Sequence, residues 1–148
     1  MYSQKLLELK QDYLKERKTE MSEDQFAALV YTFPSILVAH ADGKIDRQEK
    51  QFMRELPELL TEGYMEDGIN VVAGATLTKD YFSEVNFIIK HLENWEARFL
   101  EALKEQLHSS LNERNAIFEM MWRTADSSKD ISEEERVKIE EISAALGL

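Results

Sequence analysis

An acidic turn written twice constrains this chain more than anything else in it. The first copy is Ala39-His40-Ala41-Asp42-Gly43-Lys44-Ile45-Asp46-Arg47-Gln48-Glu49. The second is Thr124-Ala125-Asp126-Ser127-Ser128-Lys129-Asp130-Ile131-Ser132-Glu133-Glu134-Glu135. In both, an apolar stretch of helical period ends at Ala-Asp and a polar loop follows. An isoleucine then precedes a helix N-cap, Asp46 or Ser132, with a glutamate three residues on. This is the capping-box pattern, in which the cap oxygen and the glutamate each satisfy a backbone N–H that the helix start leaves without a partner. Ile45 and Ile131 stand where a hydrophobic staple belongs. The repeat predicts two related helix–turn–helix units that pack together and bring the two turns into comparable settings.

The rest of the chain fits helices around these units. Residues 3–18 carry Leu6, Leu7, Leu9, Tyr13 and Leu14 at helical spacing, with a basic stretch at Lys15–Lys18 that suits a helix C-terminus. Ser22 with Gln25 opens a second helix through a capping box. It runs through Phe26, Leu29, Val30, Phe33, Leu37 and Val38, apolar on most sides, and belongs at the centre of the core. Pro34 should kink or split it. Asp46 opens a third helix, which Pro57 ends or bends, with Phe52, Met53 and Leu56 inward. Residues 61–78 hold Gly63, Gly68 and Gly74 and read as a loop with at most a short helical turn, or as a strand. From Thr78 the helical period returns, with Tyr81, Phe82, Val85, Ile88, Ile89 and Leu92 on one face. Asn94 can cap the next helix, and Ser109-Ser110 breaks it. A further helix holds Ile117, Phe118, Met120, Met121 and Trp122. Ser132 caps the last, with Val137, Ile139, Ile142 and Leu146 inward and Gly147 as its terminal residue. The fold class is all-α, a bundle of seven to eight helices in a single domain, residues 1–148.

Bulk composition removes whole classes of function. A net charge of −11 gives phosphate no basic surface, so nucleic acid is excluded as a partner, and anionic lipid is disfavoured. With no cysteine there are no disulfides, thiolate metal sites or cysteine nucleophiles. The first ten residues have no apolar core of a signal peptide. No run approaches the roughly 18 apolar residues of a membrane span, so the expectation is a soluble cytoplasmic protein.

The two turns resemble a known family. His40-Ala41-Asp42-Gly43-Lys44-Ile45-Asp46 with Glu49, and Ala125-Asp126 followed by Ile131-Ser132 with Glu135, are similar to the A-D-G-x-[IV]-[SD]-x-x-E signature of the tellurite-resistance TerB family. Related domains occur in membrane-anchored DnaJ-type co-chaperones. The resemblance covers residues 22–148, with 1–21 as an added helix. It implies an all-helical domain with such a turn at each end and a link to the tellurite and chemical-stress response. It also implies a role as an interaction module for a protein partner near the inner membrane surface, and acidic clusters that bind divalent metal. The second copy departs from the pattern: Ser127-Ser128-Lys129-Asp130 replaces the tight glycine turn, with two residues inserted.

Two readings of the acidic residues stand side by side. As a cation site for calcium, magnesium or manganese, the second turn offers Asp126, Asp130 and Glu133 or Glu134, and the first offers Asp42, Asp46 and Glu49. The second is the stronger candidate, having five carboxylates against Lys129 alone where the first has three against Lys44 and Arg47. Neither is an EF-hand: counted from Asp126, the glycine position falls on Ile131 and the bidentate glutamate position on Val137. As structure, the same residues cap helices and offset their dipoles, each contributing about 0.3–1 kcal/mol.

Other chemistry finds little support. His40, His91 and His108 lack ligand spacing, and Glu105–His108 is a single Glu-x-x-His where a di-iron bundle needs two. There is no G-x-S-x-G elbow, P-loop or G-x-G-x-x-G. The expectation is a non-enzymatic TerB-like interaction module with a weak divalent-cation site. A small hydrolase or other stress enzyme built on clustered carboxylates is the alternative.

Overall fold

The computed structural model describes residues 2–41, 51, 54–58, 60–61, 71–126 and 131–148, with the side chains at 71–73 and 126 outside that description. Every regular element among these residues is helical, and no strand occurs among them. The fold is the all-α bundle that the hydrophobic period predicts.

Helix α1, Gln4–Arg17, starts at Ser3, whose Oγ accepts the Leu6 N–H, and stops at Lys18 in the left-handed region at φ 55°. Its start is also closed from α5, Leu92–Leu107: Gln106 accepts the Ser3 N–H at 2.6 Å and Glu105 the Lys5 N–H at 3.2 Å. Both contacts satisfy N–H groups that the first turn of a helix cannot satisfy itself.

Helix α2, Glu23–Ala39, begins with the complete capping box of Ser22 and Gln25. It packs against α1, α5, α6 (Leu111–Asp126) and α7 (Glu133–Leu146), and nearly every side chain from Phe26 to Ala39 is buried. Its apolar character on most sides follows from that central place. Pro34 does not split α2, which runs on for five residues beyond it. The proline is buried among the neighbouring helices, and their packing outweighs the one backbone bond that it removes.

A third helical stretch, α3, is described at residues 51, 54–58 and 60–61, so Pro57 does not end it. The Thr61 hydroxyl donates to the Pro57 carbonyl at 2.8 Å and accepts from the Thr78 hydroxyl at 2.8 Å. Thr78 lies within α4, Val71–Lys90. This corrects the loop or strand expected over 61–78: residues 71–78 are the first two turns of α4. Glycine and β-branched residues lower intrinsic helix propensity there, but Gly74 and Leu77 are buried, and burial decides the outcome. The remainder of the expected loop, 62–70, lies outside the described residues.

Three further expectations change. Asn94 does not cap α5. The N-cap is His91, without a side-chain hydrogen bond, and the Asn94 N–H bonds back to the His91 carbonyl. Phe82, Met120 and Val137 are exposed rather than inward: Phe82 and Met120 sit at the rim of their helices' apolar arcs, and Val137 lies on the side of α7 opposite the buried arc of Ile139, Ile142 and Leu146. Ile131 is partly exposed as well, and the position a staple would pack on is Arg136, a charged residue rather than an apolar one.

The second capping box forms as expected. Ser132 Oγ accepts the Glu135 N–H at 3.1 Å and Glu135 Oε1 accepts the Ser132 N–H at 3.2 Å. At the other end of α7, Gly147 takes φ 72°, the left-handed conformation that favours glycine. Ser132→Ala should lower stability by about 1 kcal/mol, read as a drop in the urea midpoint. An unchanged midpoint would refute the capping role.

Candidate functional site at the paired acidic turns

Helix α2 delivers the chain to the first turn. The His40 N–H bonds to the Leu37 and Val38 carbonyls, its Nδ1 lies 3.0 Å from the Ile36 carbonyl, and the Ala41 N–H bonds to Val38. Asp42, Asp46 and Glu49 lie outside the described residues. Helix α6 delivers the chain to the second turn and ends at Asp126. Thr124 and Ala125, just before it, are buried. Asp130 lies outside the described residues, as does the side chain of Asp126.

The exit of α2 and the start of α7 meet. Ala41, Glu133, Glu134, Val137, Lys138 and Glu141 line one open pocket of about 340 Å³. Helix α2 also packs on α6, which leads into the second turn. Of the juxtaposition expected from the repeat, the described residues show Ala41 beside the start of α7, and the turns themselves lie outside them.

Electrostatics within the pocket are largely settled by the protein's own cations. Arg136 reaches back one turn to Glu133 through two hydrogen bonds and forward to Glu140 at 2.9 Å. The Glu133 carboxylate holds the Arg136 guanidinium above its ordinary pKa. Lys138 bonds to Glu96 on α5 at 3.0 Å and approaches Glu141 at 3.8 Å. Of the two α7 ligands expected for a cation, Glu133 thus has an arginine partner, while Glu134 is exposed on the pocket wall. Among the described residues no group of three or more His, Asp or Glu side chains is arranged to hold a metal ion.

Glu135 adds something that the sequence reading assigned only to capping. It is 2% exposed, and its Oε2 has no hydrogen-bond partner among the described residues. A buried carboxylate oxygen with no donor is costly to leave unpaired. The signal was legible: positions 135, 139, 142 and 146 form one helical arc, and three of them are the apolar core residues Ile139, Ile142 and Leu146.

Other polar groups serve the scaffold. Glu84 on α4 is buried and accepts from the Tyr13 hydroxyl at 2.7 Å and from Arg17 Nε at 2.7 Å, while Arg17 also lies over the Phe87 ring. His91 stacks on Phe87 at 4.2 Å with Nδ1 2.8 Å from the Phe87 carbonyl. Glu105 closes the start of α1, so its carboxylate does capping work. A second polar pocket, about 440 Å³, is lined by Tyr2, Asp24, Tyr31, Gln106, Ser109, Ser110 and Glu113. There Tyr2 donates to Asp24 and Tyr31 to Glu113, and burial together with Glu113 pushes the Tyr31 phenol up to about 12. Both carboxylates sit in the first turn of a helix, where they offset its dipole.

Helix α6 leaves an apolar flank in solvent. Leu111 is 62% and Phe118 40% exposed, and Phe118 meets the half-buried Trp122 edge to face at 6.3 Å. The spacing 111, 118, 122 puts them on one side of the helix.

No family model, curated protein or solved structure matches the chain. Among the described residues, no helix is long and apolar enough to cross a membrane.

Proposed function

We propose that this chain is a non-enzymatic, TerB-like interaction module of the cytoplasm that binds a protein partner near the inner membrane surface, tuned by a weak divalent cation at its paired acidic turns. The observation that supports the reading is that Ala41, at the end of α2, and the first turns of α7 line one pocket. The link to the tellurite and chemical-stress response follows from the signature in the sequence. Partner binding is supported by the exposed Leu111 and Phe118 on α6, since contiguous apolar side chains in solvent mark interaction surfaces. The charge of −11 directs the choice of partner away from nucleic acid.

The cation is assigned to the turns, with Glu135 Oε2 as the buried oxygen on the described side and Glu134 as the exposed one. Such an oxygen suits calcium, magnesium or manganese, which take hard oxygen ligands. Thermal melts in EDTA and then in millimolar metal test it. A native-state ligand at about 100 times its Kd adds about 2.7 kcal/mol, several degrees for a chain of this size. The shift should vanish in Glu135→Gln, which keeps a carbonyl oxygen for the cap. Equal melting curves with and without metal would leave the turns as capping structures.

The partner is tested separately. Photo-crosslinking from position 115, between Leu111 and Phe118, should give one defined adduct in cells. The adduct should be lost in the Leu111→Glu, Phe118→Glu double variant at an unchanged melting temperature. Adducts that persist in the variant would remove α6 as the binding surface.

A further inference from the structure

No further inference is drawn: the strongest candidate, the exposed apolar flank of α6 at Leu111, Phe118 and Trp122, already belongs to the interaction reading, and with the charges along that helix (Glu113, Glu119 and Asp126 against Arg114 and Arg123) leaving a net of only −1, nothing in the structure shows what covers it.

Discussion

Glu84→Ala is expected to lower the stability of the chain by about 3 kcal/mol, in the range for breaking a buried ion pair by removing one partner. Glu84 ties α4 to α1: Tyr13 and Arg17 both donate to its Oε1, and Arg17 reaches its Oε2 at 3.3 Å and Ser83 at 3.0 Å. Without it, the fully buried Tyr13 hydroxyl loses its acceptor, which alone costs about 1–3 kcal/mol. Arg17 is about one quarter exposed and can turn to water, which keeps the loss below the top of the range. Urea unfolding reads the effect directly, and a loss under 1 kcal/mol would overturn the network's role.

Alkaline pH provides a second readout of the same contact. Burial and the adjacent Glu84 carboxylate push the Tyr13 phenol far above its ordinary pKa. In the unfolded chain it ionises near pH 10, so above that pH the unfolded state binds fewer protons than the folded one. Stability is therefore fully present below about pH 10 and falls as pH rises, by up to about 1.4 kcal/mol per pH unit for this one group. Tyr13→Phe should flatten the decline between pH 10 and 12.

The helices were legible in the sequence because their signals are local and redundant. Ser22 with Gln25 and Ser132 with Glu135 predict capping boxes, and both form. The apolar run from Phe26 to Ala39 predicts a central helix, and α2 is central. Local rules failed where tertiary packing decided. Pro34, Pro57 and Gly74 each argue for a break, yet all three lie within helices whose buried neighbours hold the backbone in place. Exposure at Phe82 was beyond a period count, because residues at the edge of an apolar arc are buried only if another helix reaches them, whereas Val137, two residues from Ile139, is on the opposite side of α7 and a stricter count would have placed it outward.

The candidate site was legible only in outline. The repeat predicts that its two copies meet, and their flanks do so around Ala41 and Glu133. The pairing of Glu133 with Arg136 was also available, since a carboxylate and a guanidinium three residues apart on a helix are neighbours. Counting carboxylates treats them as equivalent, whereas the fold sorts them: Glu133 pairs with arginine, Glu134 meets solvent, and Glu135 is buried with one oxygen unsatisfied. That sorting depends on which side of α7 faces α2, α5 and α6, and only packing supplies it.

Phe99→Ala should be the most damaging truncation in the core, at about 3–5 kcal/mol. Its ring lies 4.8 Å from Phe33, 5.6 Å from Tyr13, 6.1 Å from Phe26 and 6.3 Å from Trp95, so it joins α1, α2 and α5 at one point. Four neighbouring rings on three helices cannot all move inward, so the cavity would stay open and add its own cost to the lost transfer energy. Against a total stability of about 5–15 kcal/mol, this would leave a marginal fold. The control is the same substitution on α6. Phe118 is 40% exposed, and Phe118→Ala should cost less, about 1–2 kcal/mol, since two fifths of the residue stays in water in both states and no closed cavity forms at the surface. Urea midpoints of the two variants decide the matter. A wide separation places the energetic centre of the bundle at Phe99, whereas similar losses would mean that the α6 flank is as tightly held as the core and is not a free surface for a partner.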